Sequence, residues 1–135
     1  MKSIPPIQKF MTTTPLTIKK SATLEEAYKV MKANNIRHLP VLENDTLIGI
    51  ISERDIMVAE ALMNVDAFKV KVGDIAKNET YHVSPDTPTD EVVIEMAANK
   101  YGSALIVQNK KLVGIFTTVD AMTAFAEVLE LYRIK

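Results

Sequence analysis

Two four-residue segments carry the side chains that are best placed to do chemistry. Ser52-Glu-Arg-Asp55 and Thr117-Thr-Val-Asp120 each place a hydroxyl three residues before a carboxylate, directly after an apolar stretch. This spacing is typical of a helix N-terminus, where the hydroxyl caps the first turn and the carboxylate complements the helix dipole. The same end of a helix also favours an anionic group such as a phosphate. Both segments therefore predict helix starts, at which capping and ligand contact are compatible.

The two segments belong to an internal repeat. A shift of 65 positions aligns residues 15–61 with residues 80–126 without a gap, and the matches concentrate toward the end, where Asp55 meets Asp120. Self-similarity of this length indicates two copies of one supersecondary unit. Each copy alone is too small to bury enough apolar surface, so we expect the two to share a core.

Each copy predicts the same order of elements. A short extended piece (16–18 and 81–83) precedes a helix, whose start is marked in the first copy by the capping-box spacing of Thr23 and Glu26. In the second copy Pro88 is expected in the first helical turn. Two β-branched apolar runs around a polar turn then predict an antiparallel hairpin, and a second helix closes the copy. The expected ranges of these last three elements are 39–42, 47–51 and 53–63 in the first copy and 104–107, 112–116 and 119–131 in the second.

The fold class that follows is α/β (α+β), with two β-α-β-β-α repeats packed with pseudo-two-fold symmetry. The apolar runs are continuous rather than alternating, so we expect each hairpin to be buried on both faces. Pro40 lies within one run and cannot donate a ladder hydrogen bond, which implies an edge strand or an interrupted register. Methionines recur at matched helix positions, which predicts core filling or a dimer face rather than a metal site: Met31, Met57, Met96 and Met122.

The repeat also divides the chain. We place the first domain at residues 1–63, with its core at 11–63, the connection at 64–74 and the second domain at 75–135. Three apolar side chains of the connection are expected to contact the core: Phe68, Val70 and Val72. The last helix is more apolar than one core-facing stripe requires, which predicts a partner surface.

Composition excludes several classes of function. With 47% apolar and 24% charged residues, the chain is predicted to fold, and a formal charge of −1 disfavours bulk electrostatic binding of nucleic acid. Cysteine is absent, so no thiolate nucleophile is available, and two histidines leave little for a metal. No catalytic constellation is recognisable either, so we expect neither an enzyme nor a catalytic cofactor.

No apolar stretch approaches the ~20 residues of a membrane span and no signal peptide is recognisable, so we expect a cytoplasmic protein with no membrane partner.

Taken together, the repeat and its motifs resemble a tandem pair of CBS (cystathionine-β-synthase-type) domains, the Bateman module, over nearly the whole chain. The segments that carry the resemblance are Asn35-Ile-Arg-His-Leu-Pro-Val41 and Leu47-Ile-Gly-Ile-Ile-Ser-Glu-Arg-Asp55 in the first copy, and Gly102-Ser-Ala-Leu-Ile-Val107 and Leu112-Val-Gly-Ile-Phe-Thr-Thr-Val-Asp120 in the second. The resemblance implies an adenosine-containing ligand (AMP, ADP, ATP or S-adenosylmethionine) in clefts between the copies. It also implies a homodimer and a separate effector protein.

The resemblance assigns roles on the ribose and phosphate side of such a ligand. Asp55 and Asp120 would accept hydrogen bonds from ribose hydroxyls, with Ser52 and Thr117 beside them; the alternative is that these residues only cap helices. Arg37 and His38 would contact phosphates, unless they form a solvated sheet edge. The second copy has Gly102 and Ser103 in place of this basic pair and Val119 in place of Arg54, so it lacks these phosphate contacts.

The resemblance also assigns an adenine slot to each copy. Its expected lining is Thr17, Ile18, Leu39 and Pro40 in one copy, and His82, Val83, Ala104 and Leu105 in the other. For the apolar members the alternative role is plain core, and for His82 it is a partly buried polar residue.

Two functional hypotheses follow. The first is a stand-alone sensor whose adenosine ligand alters a dimer or partner interface. The second is a structural dimerisation or adaptor module with vestigial ligand sites, which the depleted second site and the apolar last helix favour.

Overall fold

The computed structural model describes residues 3–133 and contains, within that range, seven β-strands, five α-helices and two short 3₁₀ helices. The strands are β1 (Thr12–Thr13), β2 (Ile18–Lys19), β3 (His38–Glu43), β4 (Thr46–Ser52), β5 (His82–Val83), β6 (Ser103–Gln108) and β7 (Lys111–Thr117). The α-helices are α1 (Leu24–Asn34), α2 (Glu53–Leu62), α3 (Val72–Ile75), α4 (Thr89–Asn99) and α5 (Thr118–Glu130), and the 3₁₀ helices span Ile7–Lys9 and Leu131–Arg133. This confirms the predicted α/β class with two β-α-β-β-α repeats.

The chain forms two compact units. One runs from Pro15 to Thr80 and holds a three-stranded sheet in the order β2-β3-β4. The other combines the residues up to Thr14 with those from Tyr81 on, and holds a four-stranded sheet in the order β1-β7-β6-β5. In each unit the first strand of the repeat pairs parallel with the next, which then forms the antiparallel hairpin.

The segment that leads into each repeat contacts the unit built on the other repeat. β1 pairs antiparallel with β7, placing Thr12 opposite Ile115. Lys77 forms an antiparallel bridge with Ile50, with both backbone N–H···O distances at 3.0 Å. Because Thr12 and Lys77 are 65 positions apart, as are Ile50 and Ile115, the internal symmetry extends into the leading segments. The compact units therefore combine chain segments in a way that no single boundary in the connection describes.

The hairpins form as predicted because their turns have the right chemistry. Asn44 and Asp45 both have positive φ angles (49° and 68°), as do Asn109 and Lys110 (52° and 66°), which is the geometry of a type I′ turn. Asparagine and aspartate tolerate this left-handed conformation better than most residues.

Pro40 lies in β3, the middle strand of its sheet, so the predicted edge position is wrong. The alternative, an interrupted register, is confirmed by a shift between Val41 and Leu42. The second hairpin has the same shift between Ile106 and Val107, where no proline is present, so the irregularity belongs to the repeat and not to the proline. Pro40 is accommodated because β2 pairs with β3 only from Val41 onward.

Helix starts agree with the sequence in the first copy and differ by one residue in the second. The Thr23 hydroxyl accepts a hydrogen bond from the Glu26 N–H at 3.2 Å, as its cap spacing predicts. Pro88 is the N-cap of α4 and not in its first turn, because an antiparallel bridge to Pro6 holds it in an extended conformation. The closing helices α2 and α5 match their predicted ranges to within one residue at each end.

The connection packs on the first unit through its valines. Val72 is fully buried and Val70 is partly buried against the core, as predicted. Phe68, however, is 70% exposed, so its predicted core contact is wrong. The chain there is held by backbone hydrogen bonds instead, from the Leu24 N–H to the Val70 oxygen and from the Val72 N–H to the Ala22 oxygen.

The matched methionines divide into two sets. Met31 and Met96 are buried in the cores of the two units, while Met57 and Met122 are more than half exposed on α2 and α5. Core filling is therefore confirmed for Met31 and Met96, while a dimer face at Met57 and Met122 stays a prediction.

Candidate functional site

Asp55 is fixed at the start of α2 by a complete capping box. The Ser52 N–H donates to Asp55 Oδ2 at 2.8 Å, and the Asp55 N–H donates to Ser52 Oγ at 3.1 Å. The carboxylate is only 15% exposed, and its other oxygen, Oδ1, lies 3.5 Å from Lys77 Nζ. One oxygen is thus held by the backbone, while the other faces the ammonium group of an exposed lysine.

The basic pair predicted from the sequence lies at the same end of this hairpin. His38 is directly opposite Ser52 in the β3–β4 register, and the Arg37 carbonyl accepts the Glu53 N–H at 2.9 Å. Burial lowers the pKa of His38, an effect that the Asp55 carboxylate opposes and the Arg37 charge reinforces. Arg37 and Arg54 are both exposed. The start of β3 and the start of α2 therefore lie side by side, with the Asp55 carboxylate paired to Lys77, the His38 imidazole within reach of the Asp55 and Arg37 charges, and Arg54 exposed beside Asp55 in the chain.

The residues of the first predicted adenine slot come together on the neighbouring strands. Ile18 of β2 pairs with Val41, which places Thr17 beside Pro40. Leu39 and Pro40 are buried, while Thr17 and Ile18 are half-buried. Leu39 belongs to the hydrophobic core and Ile18 packs against it, in keeping with the plain core role as well as with a slot.

The second unit repeats the carboxylate arrangement with different neighbours. The Thr117 N–H donates to Asp120 Oδ2 at 2.9 Å, and the Asp120 N–H donates to Thr117 Oγ1 at 3.3 Å. The Thr12 hydroxyl donates to both oxygens of Asp120, at 3.2 and 3.3 Å. Among residues 3–133, no ion pair reaches this carboxylate.

The residues predicted to line the second adenine slot also lie on paired strands. His82 of β5 lies opposite Leu105 of β6, and Val83 lies opposite Ile106. Ala104 and Leu105 are buried, whereas His82 is exposed rather than partly buried.

Sequence reasoning missed Lys77 and Thr12, the side chains that contact the two carboxylates. Neither carries a motif, since Lys77 follows the connection and precedes the second repeat, and Thr12 precedes the first repeat. The available signal was the repeat itself: extending the alignment from residues 15 and 80 back by three positions reaches 12 and 77. Lys20, another lysine near the first hairpin, does not belong to this cluster. It pairs with Glu43 at the turn end of the hairpin, away from Arg37 and His38.

Within the part of the chain that the structure describes, no three histidine, aspartate or glutamate side chains come together in a way that would hold a metal ion. No helix in residues 3–133 is both long and apolar enough to cross a membrane.

Two β-α-β-β-α units, each with a capped carboxylate where its hairpin enters a helix, define a tandem repeat module. The CBS domain family model matches residues 7–62 and 72–127, so the chain belongs to the CBS domain family.

Three known proteins illustrate the likeness. The protein MJ1232 of Methanocaldococcus jannaschii is 34% identical over 107 residues, which cover 78% of this chain but only 34% of that protein. The structure of a Vibrio cholerae protein named AcuB is 31% identical, covers 97% of both chains and has a TM-score of 0.86. The CBS domain pair of protein MJ0100, in complex with 5′-methylthioadenosine and S-adenosyl-L-methionine, is 27% identical, covers 93% of this chain and 98% of its own, and has a TM-score of 0.84.

Proposed function

We propose that this chain is a regulatory module that binds an adenosine-containing ligand, of the class AMP, ADP, ATP or S-adenosylmethionine, at the cluster around Asp55. The observation that carries the proposal is the Asp55 carboxylate, held at the start of α2 by the Ser52 N–H and flanked by Arg37 and His38. A CBS domain pair of the same fold, from protein MJ0100, holds adenosine compounds, which supports this ligand class.

The geometry suits a ribose. A carboxylate whose orientation is already set by a backbone N–H accepts two vicinal hydroxyls at little further entropic cost, because its rotamer is fixed before binding. In this proposal Asp55 takes the ribose hydroxyls, Arg37 and Arg54 meet the phosphate side, and the adenine lies along Thr17, Ile18, Leu39 and Pro40. The equivalent residues around Asp120 are Thr117, His82 and Ala104.

The module acts by binding and not by catalysis. A ligand with different affinities for two arrangements of the protein shifts their populations by that difference, and the shift is read by a homodimer interface or by a separate effector protein. No covalent chemistry is required of any side chain.

Isothermal titration calorimetry with adenosine, AMP, ADP, ATP and S-adenosylmethionine tests the proposal on wild type, Asp55→Ala and Asp120→Ala. We expect at least one of these ligands to bind wild type, and Asp55→Ala to lose the tighter binding event while Asp120→Ala keeps it. Circular dichroism controls for folding, since Asp55→Ala also removes half of a capping box worth about 1 kcal/mol. No binding of any ligand at millimolar concentration would refute the proposal.

A second candidate function is dimerisation without a ligand. α5 exposes a row of large apolar side chains, each more than 45% accessible: Val119, Met122, Phe125, Val128 and Leu129. An exposed apolar row of this length is unusual for a monomer and suits a second copy of the chain. Sedimentation velocity of Met122→Glu should then show a monomer where wild type is a dimer. Ile94→Glu, which changes an exposed apolar residue of α4, is the matched control.

A further inference from the structure

We propose that Lys77 and Thr12 give the two carboxylate sites different selectivity for ligand charge. In this inference, which rests on the proposed function, Lys77 makes the Asp55 site select a phosphate-bearing adenosine ligand, and Thr12 leaves the Asp120 site to an uncharged one. Both residues come from the segments that lead into the repeats, and neither belongs to the motifs that identify the family.

Lys77 is held at its backbone, while its side chain is exposed and its ammonium group contacts Asp55. Two hydrogen bonds to Ile50, each 3.0 Å long, fix its main chain beside β4. Gly49 lies so close that a Cβ there would come within 2.5 Å of the Lys77 carbonyl oxygen, so the two backbones are in direct contact. The side chain, in contrast, is 72% exposed, and its Nζ lies 3.5 Å from Asp55 Oδ1. The cation therefore stays within reach of the carboxylate yet is able to turn toward a ligand.

Thr12 occupies the equivalent place without a charge. It lies opposite Ile115, as Lys77 lies opposite Ile50, and its hydroxyl donates to both oxygens of Asp120. Two other cationic residues near Asp55 are also replaced by uncharged residues in the second unit. Gly102 occupies the position equivalent to Arg37, and Val119 the position equivalent to Arg54. The difference at Lys77 and Thr12 therefore reinforces a charge difference across the whole cluster.

The acidic groups near Asp55 do not cancel the excess of positive charge around it. Glu53, in the first turn of α2, is paired with Lys32 at 3.0 Å, and burial favours the uncharged form of His38. The Asp55 carboxylate is paired with Lys77, and the exposed Arg37 and Arg54 are next to His38 and Asp55 along the chain. At the start of α5 the Asp120 carboxylate is the one acidic side chain of the first turn.

A carboxylate that binds ribose also repels the phosphate on the same nucleoside. A phosphate monoester carries about two negative charges at pH 7, and like charges a few ångströms apart repel unless a cation lies near them. Lys77 provides that cation at Asp55, because its ammonium lies beside the carboxylate itself. A threonine hydroxyl satisfies the carboxylate by hydrogen bonding but leaves its charge in place.

Adenosine and AMP form the test pair, because they differ only in the phosphate. Calorimetry in an Asp120→Ala background reports on the Asp55 site, and in an Asp55→Ala background on the Asp120 site. We expect AMP to bind the Asp55 site at least about tenfold more tightly than adenosine. Lys77→Thr should reduce that ratio about tenfold through weaker AMP binding, and Thr12→Lys should raise the ratio at the Asp120 site.

Lys69→Thr is the matched control, since Lys69 is an exposed lysine eight positions before Lys77 with no ion pair among the described residues. Selectivity unchanged by Lys77→Thr, or lowered equally by Lys69→Thr, would overturn the inference while leaving the proposed function intact. If wild type binds none of adenosine, AMP, ADP, ATP and S-adenosylmethionine, both this inference and the proposed function are overturned.

Discussion

Lys77 and Thr12 make equivalent contacts in the two units, although neither lies in the aligned repeat. Each comes from the segment leading into one repeat and contacts the carboxylate that begins the last helix of the other, Asp55 or Asp120. The contact is an ion pair in one unit and a hydrogen bond from an uncharged hydroxyl in the other. The sites are alike in backbone geometry and unlike in charge, so variants at equivalent positions serve as controls for each other.

The two equivalent glycines should respond differently to alanine. A Cβ at Gly49 would meet the rigid backbone carbonyl of Lys77, whereas a Cβ at Gly114 would meet the flexible side chain of Met11. We expect Gly49→Ala to lower the free energy of unfolding by about 1–3 kcal/mol, the cost typical of overpacking. Gly114→Ala should cost less, because the thioether chain is able to change rotamer. Urea denaturation followed by circular dichroism measures both.

Met11→Ala is the control for the glycine comparison. Combined with Gly114→Ala it should cost less than the sum of the two single changes, because it removes the atoms that the new methyl group meets. An equal loss of stability in the two single glycine variants would contradict the prediction.

His38 should make the protein less stable as the pH falls below neutrality. Burial lowers its pKa in the folded state, while in the unfolded chain it titrates near its ordinary value of about 6.5. Below about pH 6.5 the unfolded state therefore binds more protons, so stability falls with pH until the folded pKa is passed. His38→Gln should show a smaller loss of unfolding free energy between pH 7.5 and pH 5.5 than wild type.

The Asp55 carboxylate opposes the lowering of the His38 pKa, which allows a second and independent test. Asp55→Asn removes the negative charge that favours the imidazolium, so the pKa of His38 should fall further. Titration of the imidazole protons by NMR measures this directly. A His38 pKa that rises in Asp55→Asn would show that the carboxylate does not act on the imidazole as described.

Two phenylalanines of the same unit should separate core packing from surface exposure. Phe116 of β7 is fully buried, and its replacement by alanine should lower the unfolding free energy by about 3–5 kcal/mol. Phe125 of α5 is 56% exposed, and its replacement should change stability by no more than about 0.5 kcal/mol in dilute protein. A large loss for Phe125→Ala in the monomer would show that α5 packs more tightly than its exposure indicates.

The second hairpin turn should gain stability from glycine. Lys110 has a φ of 66°, a left-handed conformation that strains a side-chain-bearing residue, and it follows Asn109 in a type I′ turn. We expect Lys110→Gly to raise the unfolding free energy by about 0.5–1 kcal/mol in urea denaturation. Lys111→Gly, one residue later in β7, should lower it by a similar amount, because glycine weakens a strand interior. A gain from both changes would show that the left-handed turn geometry at Lys110 is not the source of the effect.

Local chemistry made most of the fold predictable. The turn residues Asn44 and Asn109 and the cap residue Thr23 interact only with residues a few positions away. The local sequence is therefore enough to predict the turns and the helix start. The carboxylates Asp55 and Asp120 were predicted for the same reason, since their hydrogen bonds reach back only three residues. Pro88 shows where this reasoning ends, because a bridge to Pro6, over eighty positions earlier, moved the start of its helix.

The amino-acid sequence alone therefore determined the repeat, the order of its elements and the two capped carboxylates. The tertiary structure decided which chain segments complete each carboxylate site, because β1 is two exposed residues long and Lys77 forms a single bridge, and neither carries a periodic pattern. Such short strands are stable only where an existing sheet offers an unpaired edge, and that edge exists only once β4 and β7 have folded. The contact of Lys77 with Asp55, and of Thr12 with Asp120, is a consequence of that pairing.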